Sequence, residues 1–514
     1  MMKRHFSLGI ALIAAVVLAS CAMNQNSAAP QPASQDIYNV VDYGAIGNGE
    51  TLNSAAIQKA VDACAANGGG MVYIPAGEFV SGPIFLKSNV NFHISDGATL
   101  LGSLNKEDYP PTQGRYEGIE RTIYASLLTG HDLTNVTISG QGLIDGRGEW
   151  WWHADEVTDS LREEVYGIME REPENPPEAP IKWPRPRTIN LYDSENILIE
   201  DITIKNSPSW TIHPVYCSNI TVDNVTIINP ADSKNTDGIN PSSCTDVRIS
   251  NCYIDVGDDC ITLKSGYNED GLRVGKPTEN VSITNSTMIH GHGGVVIGSE
   301  MSGDVRNITI SNCVFDGTQR GIRIKTMRGR GGVVEYIQVN NIVMRDIEEA
   351  FALNMFYKKG EPIMQPVNEQ TPTIRRVHIS DVTVVDAEYA FKIYGLPEMP
   401  VDDVSFRNIR VYSADKGVTV DFAKNVQFEN VMVNTKGATV MSAHKAENLR
   451  ISNFSTNTEL GKTPVIKFDY VKNALIEQCE PWKDYTNYLD LSGGNNSGIM
   501  LKDDCGTDIS NTMD

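Results

Sequence analysis

Positive charge is what this sequence has least of. Against 65 aspartates and glutamates stand 43 lysines and arginines, which leaves a formal net charge of −22 across 514 residues. So acidic a chain argues against nucleic acid as a partner and offers no general attraction to a polyanion; an acidic substrate requires a local basic island. Long apolar runs are scarce as well. The run that opens the chain, MMKRHFSLGIALIAAVVLAS, starts with Lys3 and Arg4, is too short for a comfortable membrane span and is bounded by small residues, the pattern of an export signal. Also missing are hairpin signals between successive apolar runs in the second half of the chain, which excludes a flat sandwich.

The residue after the apolar run is Cys21, and Leu18-Ala19-Ser20-Cys21 resembles the lipobox at which bacterial lipoproteins are cleaved and lipidated. Residues 1–21 are therefore expected to be a lipoprotein-type signal ending at a lipidated Cys21, with plain secretory cleavage as the alternative. The chain is expected in the cell envelope, at the outer membrane or in the periplasm, touching membrane only through that lipid. Residues 22–36, rich in Ala, Ser, Pro, Gln and Asn, read as a flexible tether, and folded structure is expected from Ile37 to the end as one domain. Eight further cysteines lie in a compartment that permits disulfides, but Cys252 and Cys313 occupy repeat positions filled elsewhere by Ile or Val and read as buried free thiols.

One six-residue pattern, apolar, any, apolar, any, Asn or Asp, then usually apolar or Cys, returns ten times. The copies begin at Ile197, Ile220, Val247, Val281, Ile308, Ile337, Val377, Val404, Val426 and Leu449. Inside most copies a small residue is followed by apolar, any, apolar, at Cys260, Gly294, Gly321, Ala350, Ala390 and Gly417. Alternation of period two means strands buried on one face, and return of the same strand after one circuit suits a parallel solenoid in which like strands stack. Asn224, Asn251, Asn285, Asn312 and Asn341 at the fifth position suggest an amide ladder at a corner, satisfying backbone groups. Upstream, Ile57, Ala60, Val61 and Cys64 share a helical face between Asn53, a candidate cap, and Gly68, a candidate stop; such a helix would cover the open first turn.

The small residue of the second pattern supplies a common register. Taking it as zero, Asp237 in N-T-D-G and Asp259 in G-D-D both fall at −1, while Asp258 and His292 of G-H-G fall at −2 in successive turns. Arg323 and Lys325 of R-I-K fall at +2 and +4, opposite in parity to Ile322 and Ile324, so both should point outward. Stacked strands lie about 4.8 Å apart, so four turns bring all six side chains within roughly 15 Å. A single acid in this register says little, since Glu348, Glu349 and Asp415 share it; the conjunction in successive turns is what points to chemistry. Crowded acids take different protonation states, as an acid and a base acting on opposite faces of a glycosidic bond require; with Asp237 and Asp259 charged, Asp258 is expected to hold a proton near neutral pH. Arg320, Arg323, Lys325, Arg328 and Arg330 form the one basic island and read as a clamp for a substrate carboxylate.

N-T-D-G, G-D-D, G-H-G and R-I-K in this order, with V-V-D-Y-G-A-I-G-N-G near the start, resemble the polygalacturonases of the pectin-degrading glycoside hydrolases, from Ile37 onward. The resemblance implies an all-β, right-handed parallel β-helix with an N-terminal capping helix, and inverting hydrolysis of α-1,4-linked galacturonic acid in pectic polysaccharide or its oligomers. It implies Asp258 as general acid, Asp237 and Asp259 as holders of the attacking water, His292 as support for the acid, and Arg323 and Lys325 as binders of the sugar carboxylate. Asn235 of N-T-D-G and Tyr357 are assigned to substrate binding. No cofactor or resident metal is implied, and a monomer is expected. Rivals are a calcium-dependent pectate lyase, whose ion the Asp cluster would hold through oxygens, and a non-catalytic carbohydrate-binding β-helix. H-G-G-V-V-I-G-S-E-M-S-G-D-V-R-N, and S-P-S-W-T-I-H-P-V around His213, resemble the bacterial exo-acting branch. Two long interruptions, from Glu149 to Pro180 and from Phe356 to Thr373, are expected to rise beside the acids and close one end of the groove, with Trp150, Trp151 and Trp152 available for stacking on sugar.

Overall fold

A computed structural model describes residues 36–166, 180–357, 362–478 and 488–502. The expected signal, the lipidated Cys21 and the tether up to residue 35 lie outside the described residues. Alternation decides the strands: Val247 and Ile249 are buried while Asp246 and Arg248 between and beside them are exposed. A slip of one residue would turn every apolar side chain outward, and none occurs where the copies of the six-residue pattern stack. Ile197 pairs with Ile220, Ile220 with Val247, Val247 with Val281 and Val281 with Ile308, all parallel. The ladder continues through Ile337, Val377, Val404 and Val426 to Leu449. The second pattern stacks equally, Ile261 on Val295, Ile322, Phe351, Phe391 and Val418. The chain is thus a right-handed parallel β-helix whose core is a set of stacked apolar columns. It also extends beyond the ten copies, since Val136 pairs with Ile197, Ile138 with Phe92 and Leu449 with Ala474.

Asn224, Asn251, Asn285, Asn312 and Asn341 take left-handed φ between 52° and 58°, a region that Asn tolerates better than most residues. Their amides, however, do not serve the backbone as expected. Asn251 donates to Asp223 and Asn341 to Asn312, each at 2.7 Å, so the ladder runs from side chain to side chain up the outside. A second ladder climbs through Asn89, Asn135, Asn196 and Asn219.

Helix α1 (Ser54–Ala66) buries Ile57, Ala60, Val61 and Cys64 against the first turns. Asn53 stands at its start but does not cap it: its Oδ1 accepts from Ile46 N at 2.7 Å and its amide donates to Thr51 O at 2.6 Å, holding the preceding loop instead. Cys252 and Cys313 are buried free thiols, as are Cys64, Cys217, Cys244 and Cys260, and no disulfide forms among the described residues.

Three insertions shape the outer face. Strands β1 (Pro111–Tyr116) and β2 (Ile119–Tyr124) form an antiparallel hairpin turning at Glu117 and Gly118. The first long interruption opens with helix α2 (Glu149–Tyr166). Its Trp151 is buried edge-on against Tyr109 and Tyr124, with ring centroids 5.3 and 5.1 Å away, and Trp152 Nε1 donates to Ser207 O at 2.9 Å. Packing therefore claims both rings. Helix α3 (Asn268–Val274) seats the hairpin tip, Tyr267 N donating to Gly118 O at 3.1 Å. The second interruption packs beside α3, Gln370 Nε2 donating to Glu269 Oε1 at 2.7 Å.

Candidate active site

Backbone hydrogen bonds lock the acids into columns. Gly238 N donates to Asp259 O at 3.0 Å and Cys260 N to Gly293 O at 2.8 Å, so Asp237 and Asp259 stack. His292 N donates to Asp258 O at 3.1 Å, which stacks that pair one step away. The strands that follow, β3 (Ile261–Leu263), β4 (Val295–Gly298) and β5 (Arg320–Lys325), carry the rest of the site. All eight residues singled out in the sequence, Asn235, Asp237, Asp258, Asp259, His292, Arg323, Lys325 and Tyr357, line one cavity of about 580 Å³.

His292 Nδ1 lies 3.0 Å from Asp258 Oδ1, which also accepts from Asp259 N at 2.8 Å. Asp258 Oδ2 faces Asn235 Nδ2 at 3.5 Å, and Asn235 is held by Arg185 Nη2, donating to its Oδ1 at 2.9 Å. Asp259, 1% exposed, accepts from Lys325 Nζ at 2.7 Å and lies 3.7 Å from Arg323 Nη1. Asp237, equally buried, accepts from Asn240 Nδ2 at 2.8 Å on Oδ2. Asp237 Oδ1 and Asp259 Oδ1 are buried with no hydrogen-bond donor among the described residues. The Tyr357 ring lies 5.6 Å from the Arg323 guanidinium and 5.3 Å from the Lys325 ammonium.

These contacts lower the pKa of Asp258, where the sequence had suggested a raised one. Burial alone would raise Asp258, but the His292 hydrogen bond, the His292 charge and Lys325 outweigh it and hold the carboxyl at about 2. Asp237 carries the raised pKa, pushed up by burial first and by the charge of Asp258 second. His292 is raised through its bond to Asp258. Adjacency in sequence had suggested that Asp258 would be the crowded, neutral acid; the histidine stacked on it supplies the missing cation.

The basic island also divides. Arg320, Arg323, Lys325 and Arg330 line the cavity, but Arg328 turns away to Glu398, with Nε 2.6 Å from Oε1. Arg330 spends its donors on Ser299 and Asn268, with its guanidinium 3.8 Å from the Tyr267 ring. Arg320 pairs with Glu349, its Nε 3.4 Å from Oε2, so Arg323 and Lys325 are the cations of the island closest to the acids.

The cavity wall differs from expectation. Among the described residues, helix α2 contributes Asp155 and Asp159 to a neighbouring cavity of about 260 Å³ and none to the one that holds the acids, which the second interruption reaches through Tyr357. The rest of the lining includes Glu117 at the hairpin tip, Tyr267, Trp210, Lys264 and Glu300. Glu117-Gly118, both at positive φ (46° and 80°), is the two-residue turn that the sequence could have revealed. Lys264 shares its parity and its column with Lys325 and was open to the same reading.

Residues 181–419 match the family described as glycosyl hydrolases family 28, and residues 37–103 match one described as rhamnogalacturonase A/epimerase, pectate lyase-like. A Vitis vinifera protein described as a probable polygalacturonase is 35% identical over 74% of this chain and 75% of its own length. An exo-poly-alpha-D-galacturonosidase of Dickeya chrysanthemi is 30% identical over 68% of this chain and 62% of its own length. The crystal structure of a hyperthermoactive exopolygalacturonase from Thermotoga maritima superposes with a TM-score of 0.69 at 33% identity, covering 77% of this chain and 91% of that one.

Proposed function

The chain belongs to family 28 of the glycosyl hydrolases as a polygalacturonase acting on galacturonan, and on that premise we propose that it removes single sugars from the non-reducing end of the chain with inversion. The observation that supports the exo reading is that Glu117, Tyr267 and Trp210, brought in by the hairpin and by the loop before α3, line the cavity that holds the acids. In this reading they close one end of the groove, leaving room for a chain terminus and obstructing a chain passing through. The Dickeya chrysanthemi and Thermotoga maritima relatives, both described as exo-acting, support the same reading.

In this mechanism the substrate carboxylate docks on Arg323 and Lys325, whose charges are then shared with the substrate. Lys325 thereby supports ionised Asp258 less, and the sugar displaces water from it; both changes push Asp258 upward. The proton held by the Asp258–His292 pair moves onto the departing oxygen through Asp258. A water between the donor-free oxygens of Asp237 and Asp259 attacks the anomeric carbon and gives its proton to Asp237, which passes it to solvent, while solvent returns a proton to the Asp258–His292 pair. The three acids offer oxygens within 4.8 Å of one another, closer than the roughly 6.5–9.5 Å usual between a single acid and a single base in inverting enzymes. Here two acids share the water on one side of the bond. The same oxygens would suit calcium, as a lyase requires, but Lys325 already binds Asp259 and His292 binds Asp258. Export as an envelope lipoprotein anchored at Cys21 and action as a monomer belong to the same proposal; labelling with radioactive palmitate in wild type and Cys21→Ala checks the anchor.

Time-resolved digestion of a long galacturonan tests the exo reading. Monomer as the sole early product, with viscosity falling slowly, is expected. An early ladder of oligomers with rapid loss of viscosity means an open cleft and overturns it. Proton NMR of the first product reads the anomer, and retention of configuration would refute the shared-water arrangement.

A further inference from the structure

Arg185 is fully buried, and its guanidinium joins helix α2 to the acids. Nη1 donates to Pro208 O at 2.8 Å and to Lys234 O at 3.0 Å. Nη2 lies 3.0 Å from Asp155 Oδ2 of α2 and donates to Asn235 Oδ1 at 2.9 Å. A guanidinium only donates, so the end of the Asn235 side chain that meets it is the carbonyl oxygen. The other end is the amide nitrogen, and it faces Asp258 Oδ2 at 3.5 Å. Asp258 Oδ1 is already engaged, by His292 Nδ1 at 3.0 Å and by Asp259 N at 2.8 Å. Oδ2 is therefore the oxygen left to serve a departing group.

We infer that Arg185 is a positioning residue that fixes the Asn235 amide with its nitrogen toward Asp258, so that the proton Asp258 releases from Oδ2 goes to the substrate and nowhere else. The inference rests on the reading of Asp258 as the general acid. With the amide turned over, its carbonyl oxygen would face Oδ2 and hold the acid's proton in a hydrogen bond of its own. That bond would have to break before the departing oxygen could be protonated. Held as it is, the amide nitrogen can only donate to Oδ2, and the carboxyl hydrogen is free to point into the cavity. The bond from the anomeric carbon to the departing oxygen then breaks with its electron pair on oxygen, which takes the proton from Oδ2 as water closes on the carbon. The rest of the local structure holds the arrangement still. Asn235 stands at φ 56°, and α2 is tied to the solenoid by Trp152 Nε1, which donates to Ser207 O at 2.9 Å. Burying a guanidinium is costly unless its donors are used; here one nitrogen is spent on an amide of the active site.

The test compares two leaving groups. A glycosidic oxygen needs a proton to depart, whereas the fluoride of α-galacturonosyl fluoride leaves with the bonding pair and needs none; both substrates need the water held by Asp237 and Asp259. Turnover is measured on a galacturonic acid trimer and on the fluoride for Arg185→Lys, Asn235→Asp and Asp258→Asn. Arg185→Lys keeps a charge beside Asp155 but loses the planar fork that orients the amide. Asn235→Asp keeps the shape and the pairing with Arg185 while turning an acceptor toward Oδ2, and it decides the question should Arg185→Lys fold poorly. On the trimer, kcat should fall about tenfold or more in Arg185→Lys and about 100-fold in Asn235→Asp, while on the fluoride both stay within about threefold of wild type. Equal losses on the two substrates overturn the inference, because a structural defect slows both; so does trimer turnover within about threefold of wild type in either folded variant. Asp258→Asn separates this inference from the reading beneath it, since it should lose the trimer and keep the fluoride. If Asp258→Asn loses both alike, the general acid falls and this inference with it; if it keeps the fluoride while the other two variants lose both substrates, the role of Arg185 alone is refuted.

Discussion

Asp258→Asn keeps the size of the side chain and removes its negative charge and its acidic proton. A carboxamide has nothing to give a departing oxygen, and losing a positioned general acid costs about 10²- to 10⁴-fold in rate. Two linked shifts should accompany the loss. His292 is raised because its Nδ1 meets Asp258 Oδ1 at 3.0 Å, so its pKa should fall back toward the ordinary range in the variant. Asp237 is raised by burial and then by Asp258, so its pKa should fall too, and the acidic limb of any residual activity should move to lower pH. Stability changes in a defined window. A carboxyl lowered from 3.8 to about 2 contributes on the order of 2 kcal/mol, fully present above the unfolded value and lost as pH falls through the folded one. The variant lacks that contribution, and its stability should fall less steeply between pH 4 and 2 than that of wild type. Reducing-sugar release across pH, the His292 ring titration by NMR, and acid unfolding followed by circular dichroism measure the three effects. Turnover within about tenfold of wild type in a folded variant, or an unmoved His292 titration, would refute the assignment of Asp258.

Arg323→Ala and Lys325→Ala should each lower kcat/KM on galacturonan by about 10- to 100-fold, the worth of a charge-assisted hydrogen bond, while a neutral glycoside is hardly affected. Equal losses on both substrates would make the pair structural; Lys325→Ala should also disturb Asp259, which it contacts at 2.7 Å. Activity should survive exhaustive treatment with a chelator and give no unsaturated product; strict dependence on calcium, with absorbance of a conjugated double bond, would favour elimination over hydrolysis.

Period two and the return of one pattern at intervals of 22 to 40 residues were enough to define the solenoid from sequence, because a strand with one apolar face must bury it and stacking like on like does so turn after turn. The same register placed Asp237 over Asp259 and Asp258 under His292 before any coordinates, and it set Arg323 and Lys325 on the outer face by parity alone. Contacts between segments far apart in sequence could not be read that way. Which carboxyl keeps its charge depends on the geometry of His292 at Asp258 and of Lys325 at Asp259, and so on distances of about 3 Å that spacing does not encode. The cavity wall is a hairpin more than one hundred residues upstream, held in place where Tyr267 meets Gly118. Arg328 was lost from the clamp to Glu398, 70 residues away. Trp151 went into a small apolar cluster outside the solenoid core, because helix α2 turns it toward Tyr109 and Tyr124. Local periodicity determines which face of a strand is buried; tertiary structure alone decides which charges meet, because electrostatic pairing depends on distance in space and the sequence records only distance along the chain.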